Sequence, residues 1–377
     1  MRLLVLTPYR IYPPDVGGRA HIYSLCSAYA QQVDEFAVHS VVTLKDPTSW
    51  PDAPFSYHAT RAWVSLLSLM DRLKVAPKIP YFWAMSGLTR KLAKRIEALN
   101  PDVVEVHFPW LMGIRRHLPD NIRVVLAAHN VEALWYRNVM ETGLFAKMLE
   151  RRLQKIEGEA LGLADHVLCL AERDRQEFAR RYTIPLDKMV VCPPGYDPDM
   201  EKPNGAKAET QRQVRRALFI GSKYPTNIEA AMLLIDEGAS SVSSEVELVI
   251  AGEVCDHIST SNIPDNVKLA GYVPDLKALL HTCDILVNPS VGTTGAHIKN
   301  VDALACGLRV ITTPEGAHGF ESLCGDIVRV AAIEDFATHI NGAESLNDGE
   351  MERVREYAWP ALVKKRIAHY ESSGAST

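Results

Sequence analysis

The sequence predicts an α/β protein with two doubly wound domains, each a mostly parallel sheet with helices on both faces. Two observations support this prediction. Short apolar runs typical of buried strands alternate with longer amphipathic runs typical of helices along most of the 377 residues. A polar, turn-rich segment, residues 193–215, interrupts the alternation near the middle of the chain, and the alternation then begins again.

The first half begins with a predicted strand at residues 2–6, and Gly17 and Gly18 then precede a predicted helix over 19–32. Further strands are predicted at 36–44, 102–107, 123–128, 166–170 and 189–192, with helices at 134–161 and 172–181. Residues 61–95 mix apolar and aromatic side chains with many cations. That mixture is typical either of a face that lies on an anionic membrane or of packed helices with a solvated basic face.

The second half repeats the pattern. Strands are predicted at 217–220, 246–251, 267–269, 285–287, 309–312 and 326–330, and helices from 228, at 276–281, 296–306, 333–346 and 351–370. The last of these is interrupted near Trp359 and Pro360. Gly307 stands where a left-handed residue would end the helix over 296–306.

Composition excludes several functional classes. The net charge of −5 and the pI of about 6.2 give no indication of nucleic-acid binding. No apolar run approaches the ~20 residues of a membrane span, so we expect a cytoplasmic protein, with peripheral contact at the inner face of the membrane as an option. The seven cysteines are scattered without a C-x-x-C pair, which favours reduced thiols over disulfides or a zinc site.

The strongest candidate site lies in residues 284–313, which read as strand, glycine-rich loop, helix, glycine and strand. A glycine-rich turn that leads into a helix after a buried strand offers free backbone N–H groups and the positive end of the helix dipole to an anion. Lys299 adds a cation in the first turn, and Asp302 follows three residues later on the same helix face. A nucleotide sugar needs this combination, although an ordinary loop with a solvated lysine would look the same.

Several other polar residues follow predicted strands. His129 follows the strand LAA, where its imidazole could contact a sugar hydroxyl, and Glu132 comes three residues later, as a functional carboxylate or a helix cap. Lys223 and Asn227 follow the first strand of the second half, and Tyr272 and Val273 lie in a short loop that could border a nucleobase. In doubly wound sheets ligands bind beyond the carboxyl ends of the strands, so we expect a ligand between two facing domains.

The order of these motifs resembles the GT-B nucleotide-sugar glycosyltransferases, and among them the retaining glycosyltransferase family 4. The resemblance covers nearly the whole chain. It is carried by GG before the first helix, AAHN, ADHVLCLAERDRQEF, PPGYD, LFIGSKYPTNIEA, VELVIAG, NVKLAGYVPD and CDILVNPSVGTTGAHIKNVDALACGLRVITT. It implies an N-terminal acceptor-side Rossmann-like domain over 1–195, a nucleotide-sugar-binding domain over 196–355, and a C-terminal helix, 356–377, that crosses back to the first domain.

The resemblance also implies roles for individual residues. His129 and Lys299 would be catalytic, with Glu132 on the acceptor side. The donor would be bound by Gly17, Gly18, Lys223, Asn227, Tyr272, Val273, Thr294, Gly295, Ala296, His297, Ile298 and Asp302. The family requires no metal and no cofactor beyond the donor substrate. A sugar would pass with retention to a glycan or lipid-linked acceptor in polysaccharide or glycoconjugate assembly.

Two departures from the family pattern leave alternatives open. The family often has two glutamates eight positions apart, and here Thr294 and Asp302 stand at those positions. The missing first carboxylate motivates a second hypothesis, a weakly active or inactive scaffold that binds a nucleotide or a partner. An epimerase would need more acid–base carboxylates at strand ends, and a dehydrogenase would need a G-x-G-x-x-G after a first strand, which neither half contains.

Overall fold

The computed structural model describes residues 1–14, 17–62, 79–139, 144–202, 214–238, 241–259, 263–290 and 296–372. The chain divides into two compact units. The first comprises Met1–Cys192 and Leu362–Thr377, and the second comprises Pro193–Ala361. Both units contain a parallel sheet with helices, which confirms the predicted α/β class.

The first unit is built on a seven-stranded sheet with the order β3-β2-β1-β4-β5-β6-β7. Its strands are β1 Arg2–Thr7, β2 Glu35–Val42, β3 Ser56–Arg61, β4 Val103–His107, β5 Arg123–Ala128, β6 His166–Cys169 and β7 Met189–Val191. All neighbouring pairs are parallel. The order reverses direction between β1 and β4, so the carboxyl ends of these two strands flank the switch point at which such sheets bind ligands.

The described residues of Met1–Cys192 form five α-helices. They are α1 Gly17–Ala30, α2 Ile79–Glu97, α3 Glu132–Val139, α4 Leu144–Leu163 and α5 Glu172–Tyr182. Gly17 and Gly18 therefore form the first turn of α1 rather than preceding it. The helical stretch predicted over 134–161 corresponds to α3 and α4, and residues 140–143 between them lie outside the described residues. A 3-10 segment, Pro109–His117, packs against α2 and α4.

The second unit contains a six-stranded sheet with the order β10-β9-β8-β11-β12-β13. Its strands are β8 Arg215–Ile220, β9 Val246–Ala251, β10 Val267–Gly271, β11 Ile285–Asn288, β12 Arg309–Thr312 and β13 Val328–Val330. Leu218 packs into the apolar layer on one face of β8, and Ala217 and Phe219 pack into the layer on the other. Both faces are thus covered, which explains the continuous apolar runs of these strands.

The helices of the second unit are α6 Pro225–Leu233, α7 Leu276–His281, α8 Ile298–Ala305, α9 Phe336–Asn341 and α10 Asp348–Arg355. The helices near the end of the unit are shorter than the sequence predicts. The last helix, α11 Trp359–Ser372, begins where Pro360 takes the first turn, a position that needs no N–H donor. Gly307 has φ of 78°, so the predicted left-handed residue after α8 is confirmed.

None of the helices in the described part of the chain is long and apolar enough to cross a membrane.

Candidate functional site

Glycines terminate three adjacent strands of the second sheet. Gly221 follows β8, Gly252 follows β9, and Gly271 ends β10. A Cβ atom on Gly252, which has φ of 102°, would lie 2.2 Å from the carbonyl oxygen of Gly221. The Gly252 N–H donates to the Gly271 carbonyl at 2.7 Å. The close approach of the Gly221 carbonyl thus excludes a side chain at Gly252, so two backbone segments meet at this part of the carboxyl edge.

Lys299 lies beside the end of the central strand β8. Its Nζ donates a hydrogen bond to the Ile220 carbonyl at 3.1 Å and lies 4.8 Å from the centroid of the Phe219 ring. The second sheet changes direction between β8 and β11, so the ammonium is placed at the switch point of the sheet. Burial lowers the pKa of Lys299 to about 8, because the charged amine is partly removed from water.

A buried amide network holds the first turn of α8 to the sheet. Asn288, the last residue of β11, donates through Nδ2 to Oδ1 of Asn300 at 3.1 Å. Asn300 is fully buried and donates through its own Nδ2 to the Gly316 carbonyl at 2.7 Å. These bonds join α8 to β11 and to the loop after β12. They therefore fix the position of the first turn of α8, which includes Lys299, the residue before Asn300.

Asp302 lies one turn beyond Lys299 and is half-buried. Burial raises the pKa of its carboxyl group to about 7. Within the described part of the chain, its carboxylate forms no hydrogen bond and no ion pair, and the pairing with Lys299 that their spacing allows is not made. A carboxylate without a protein donor retains its capacity to accept hydrogen bonds from ligand hydroxyls.

His297 precedes α8 and contacts the end of β11. Its Nε2 lies 3.1 Å from Oγ of Ser290. Burial, together with the positive charges of Lys299 and His318, lowers the pKa of His297 to about 3. The ring is therefore neutral at physiological pH and can take part in hydrogen bonds without adding charge to the site.

The other residues predicted for the donor site are less enclosed. Lys223 is exposed and pairs with Glu253 at 3.2 Å, and Nδ2 of Asn227 donates to Oγ of Ser222 at 3.0 Å. Tyr272 is 75% exposed, whereas Val273 packs partly against the apolar core. Ala296 and Ile298 flank His297 at the start of α8. Thr294 and Gly295 lie outside the described residues.

In the first unit, His129 follows β5 and meets a second histidine at the end of β4. Its Nε2 lies 2.9 Å from Nδ1 of His107. The Phe108 ring stacks on His129 with 4.3 Å between centroids and 15° between planes. Phe108 has φ of 68°, a value that non-glycine residues adopt only rarely. Burial and the nearby cationic groups lower the pKa of His129 well below its ordinary value.

Gly17, Gly18 and Glu132 flank the same edge of the first sheet. Gly18 is exposed, and a Cβ atom there would meet nothing within 4 Å. Glu132 is buried at the start of α3, and its N–H donates to Oε1 of Glu157 at 2.6 Å. Glu157 therefore caps this helix, so the Glu132 side chain is not needed as the cap.

Comparison with known proteins identifies both units. The family described as "Glycosyltransferase Family 4" matches residues 17–200, and the family described as "Glycosyl transferases group 1" matches residues 214–343. The chain belongs to the GT4-like glycosyltransferases of GT-B fold. It is accordingly a glycosyltransferase, which confirms the resemblance and the enzyme class inferred from the sequence.

Solved structures similar to the glycosyltransferase share its fold at low identity. Anabaena HepE in complex with UDP is 14% identical with a TM-score of 0.69, over 99% of this chain and 100% of that one. Sucrose-phosphate synthase from Thermosynechococcus elongatus is 16% identical with a TM-score of 0.73, over 100% of both chains. A trehalose-6-phosphate structure from E. coli bound with UDP-2-fluoro glucose is 13% identical with a TM-score of 0.61, over 99% and 98%. No curated protein matches the chain.

The glycosyltransferase contains site residues that the sequence reasoning missed. Asn288 and Asn300 fix α8, but their pairing is not visible in a linear pattern. His107 ends the strand VVEVH just as His129 follows LAA, so a search for histidines at strand ends would have found it. In the described residues no group of three His, Cys, Asp or Glu side chains is arranged to hold a metal ion.

Proposed function

We propose that this glycosyltransferase transfers a sugar from a UDP-sugar to a glycan or lipid-linked acceptor with retention at the anomeric carbon, in polysaccharide or glycoconjugate assembly. The observation that carries the proposal is the position of Lys299. Its ammonium lies at the switch point of the second sheet, beside the glycine-rich edge and one turn before the Asp302 carboxylate. The similar structures of Anabaena HepE with UDP and with UDP-glucose support the choice of base.

On the donor side, Lys299 and the N–H groups at the start of α8 bind the diphosphate. Asp302 accepts hydrogen bonds from the ribose hydroxyls, and the backbone near Gly271 and Tyr272 borders the base. In the first unit, the matching family positions assign Gly17 and Gly18 to donor binding and His129 to the transferred sugar. These assignments are supported by the burial of Lys299 and Asp302 and by the residue types at the matching family positions.

In the transfer step, the bond between C1 of the sugar and the diphosphate oxygen breaks, and a new C1–oxygen bond forms to the acceptor on the same face. The acceptor hydroxyl proton passes to the departing diphosphate oxygen, so no protein nucleophile is required. Stabilising the negative charge of the leaving group lowers the barrier, and one well-placed donor contributes roughly 3 kcal/mol. Lys299 supplies that charge, and no metal ion is required.

Acceptor binding to the first unit is supported by a groove between α2, the 3-10 segment 109–117 and α4. The groove has a volume of about 480 Å³. Its lining combines apolar side chains (Trp110, Met112, Ile156 and Leu163) with basic ones (Arg116, His117, Arg152 and Lys155), and Glu159 pairs with Arg116 and Lys155. An amphiphile with an anionic head group is complementary to such a groove.

Peripheral membrane contact is supported by the outer face of α2. Leu92, Ala93 and Ile96 are in the core, whereas Arg90, Lys91, Lys94 and Arg95 are exposed. Within the cationic segment 61–95, this part is thus a packed helix with a solvated basic face. Residues 63–78 of the segment lie outside the described residues. Basic side chains near an anionic bilayer contribute about 1 kcal/mol each.

The donor assignment is tested by thermal shift and transfer assays. UDP should raise Tm more than ADP or GDP at equal concentration, since a ligand at 100 times its Kd adds about 2.7 kcal/mol. Transfer from UDP-sugars should persist in excess EDTA, and NMR of the product should show the donor's anomeric configuration. An inverted product or full EDTA sensitivity would refute the proposed mechanism, and a preference for another nucleotide would refute UDP.

The membrane assignment is tested separately by sedimentation with phosphatidylserine and with phosphatidylcholine vesicles. Neutralising Arg90, Lys91 and Lys94 together should abolish any preference for the anionic vesicles. Neutralising three exposed lysines elsewhere (Lys268, Lys277 and Lys364) is the matched control and should not. Equal binding to both vesicle types would exclude the electrostatic contact.

A further inference from the structure

The residue that follows β4, Phe108, has a backbone conformation that side chains rarely adopt. Its φ is 68° and its ψ is 153°. This region is occupied almost entirely by glycine, because a Cβ atom there crowds the neighbouring peptide groups. The next residue is Pro109, whose ring further restricts the conformations open to Phe108. Phenylalanine at this position therefore lowers the stability of the fold, and a glycine would make the same turn without strain.

The structure fixes this conformation from both sides of Phe108. Its N–H donates to the carbonyl oxygen of Ala127 on β5 at 3.2 Å, which extends the ladder between β4 and β5 by one residue. On the other side, Pro109 begins the 3-10 segment, in which Leu111 and Met112 are fully buried in the core. The chain therefore has to change direction at Phe108 itself.

Strand β4 is also held from inside the unit. Glu105, in the middle of the strand, is 0% exposed. It accepts hydrogen bonds from the hydroxyl group of Tyr370 at 2.6 Å and from the guanidinium of Arg366 at 3.3 Å, both on α11. Buried polar contacts of this kind make the strand that carries them rigid. The end of β4 is therefore not free to shift and relieve the strain at Phe108.

The conformation of Phe108 brings two adjacent side chains onto one imidazole. The Phe108 ring stacks on His129 with 4.3 Å between centroids and 15° between planes. Nδ1 of the preceding residue, His107, lies 2.9 Å from Nε2 of the same imidazole. In a regular strand, successive side chains point to opposite faces, so residues 107 and 108 would not both reach His129. The positive φ of Phe108 breaks this alternation.

Phe108 is supported in turn by Tyr9, which follows β1. The two ring centroids lie 5.7 Å apart with 56° between planes, a tilted arrangement that aromatic pairs favour. Tyr9, Phe108 and His129 thus follow β1, β4 and β5, three adjacent strands of the sheet. The three rings lie at the carboxyl edge, beside the switch point between β1 and β4.

We propose that Phe108 is a positioning residue that holds the imidazole plane of His129, and that its ring is retained at a strained position for this reason. The catalytic part of this inference rests on the proposed contact between His129 and the transferred sugar. The stack acts on the face of the imidazole, so it does not depend on the tautomer of either histidine. A ring that is already oriented when the substrate binds does not have to be ordered during the reaction.

Thermal unfolding tests the strain. Phe108→Gly and Phe108→Ala both remove the ring, but only alanine keeps the Cβ atom that this conformation disfavours. The Tm of Phe108→Gly should be roughly 2–6 °C above that of Phe108→Ala, although glycine usually gives the less stable protein. A glycine variant with an equal or lower Tm would show that the backbone is unstrained and would overturn the inference.

The stack is measured by NMR on protein labelled with ¹³C,¹⁵N-histidine, and the His129→Gln variant identifies the His129 signals. The ring current of Phe108 should shift the ring protons of His129 upfield in the wild type and in Phe108→Tyr. The shift should be lost in Phe108→Leu. Phe178→Leu, at a buried aromatic residue of α5, is the matched control, which should lower Tm and leave the His129 signals in place. Unchanged His129 signals in Phe108→Leu would contradict the stack.

Steady-state kinetics tests the role of Phe108 in the reaction. Phe108→Ala and Phe108→Gly should lower kcat roughly 10-fold to 100-fold, with donor KM changed less than about threefold. Phe108→Tyr and Phe178→Leu should stay within about threefold of the wild type. A glycine variant that is more stable than the alanine variant, yet no more active, separates a positioning role from a purely structural one.

Wild-type kcat in a Phe108→Ala variant that has lost the His129 shift would overturn the positioning role. Full transfer activity in His129→Gln would instead refute the proposed site. The Tm and NMR measurements would then still decide whether Phe108 is strained and stacked on His129, so the two failures are distinguishable.

Discussion

The lowered pKa of Lys299 makes donor binding depend on pH. Burial lowers this pKa from 10.5 to about 8. The difference corresponds to roughly 3 kcal/mol in favour of the neutral amine. A bound diphosphate reverses that preference by pairing with the ammonium, so binding should be accompanied by proton uptake once Lys299 is deprotonated in the free enzyme.

The size of the effect follows from the protonated fraction. That fraction falls from about three-quarters at pH 7.5 to about 3% at pH 9.5, so the Kd of UDP should rise roughly 20-fold over this range. At pH 8.5 the free enzyme should take up about 0.8 proton on binding. Isothermal titration calorimetry in buffers of different ionisation enthalpy measures both quantities.

Two substitutions separate Lys299 from other titrating groups. Lys299→Arg keeps the charge across the range and should flatten the dependence of Kd on pH. Lys268→Met, at an exposed lysine on β10, should leave the slope unchanged. A Kd of UDP that stays constant from pH 7.5 to 9.5 in the wild type, or a slope that persists in Lys299→Arg, would refute the placement of Lys299 against the diphosphate.

Three further predictions concern the rest of the structure. Asp302→Asn should raise the Kd of UDP roughly tenfold at pH 8. Because the carboxyl pKa of Asp302 is about 7, calorimetry at pH 6 should give nearly equal Kd values for the wild type and the variant. Gly316→Ala should cost about 1–3 kcal/mol in urea denaturation, since its Cβ would lie 2.0 Å from Oγ1 of Thr312, whereas Gly162→Ala, with nothing within 4 Å, should not destabilise. Burial lowers the pKa of His39 to about 4, so His39 binds a proton more readily in the unfolded chain than in the folded one. The free energy of unfolding should therefore fall as the pH drops from about 6.5 toward 4. A His39→Gln variant as acid-sensitive as the wild type would contradict this.

Much of the fold was predictable because its signals are local. The apolar runs of β1, β5 and β11 are continuous, as strands buried on both faces require, and Gly307 marks the end of α8 through its own backbone conformation. Strand β3, Ser56–Arg61, was missed because an edge strand with polar residues such as His58 and Thr60 has no apolar run.

The candidate site was predictable only where residue type and chain position carried the information. Lys299 and Asp302 stand out as charges in the first turns of a helix after a glycine-rich loop. The His107–His129 pair joins residues 22 positions apart, which the parallel register of β4 and β5 brings together. The Asn288–Asn300 pair joins residues 12 positions apart, which the packing of α8 on β11 brings together. No periodicity in the sequence encodes these pairings.

The pairing of Glu105 with Arg366 also constrains how the enzyme is made. The two residues are 261 positions apart. Tyr370, whose hydroxyl also donates to Glu105, lies further still along the chain. During synthesis β4 leaves the ribosome long before α11. The carboxylate of Glu105 therefore has no contact with the guanidinium of Arg366 until the entire second unit has been synthesised. The first unit therefore completes its interior last, although its strands are translated first.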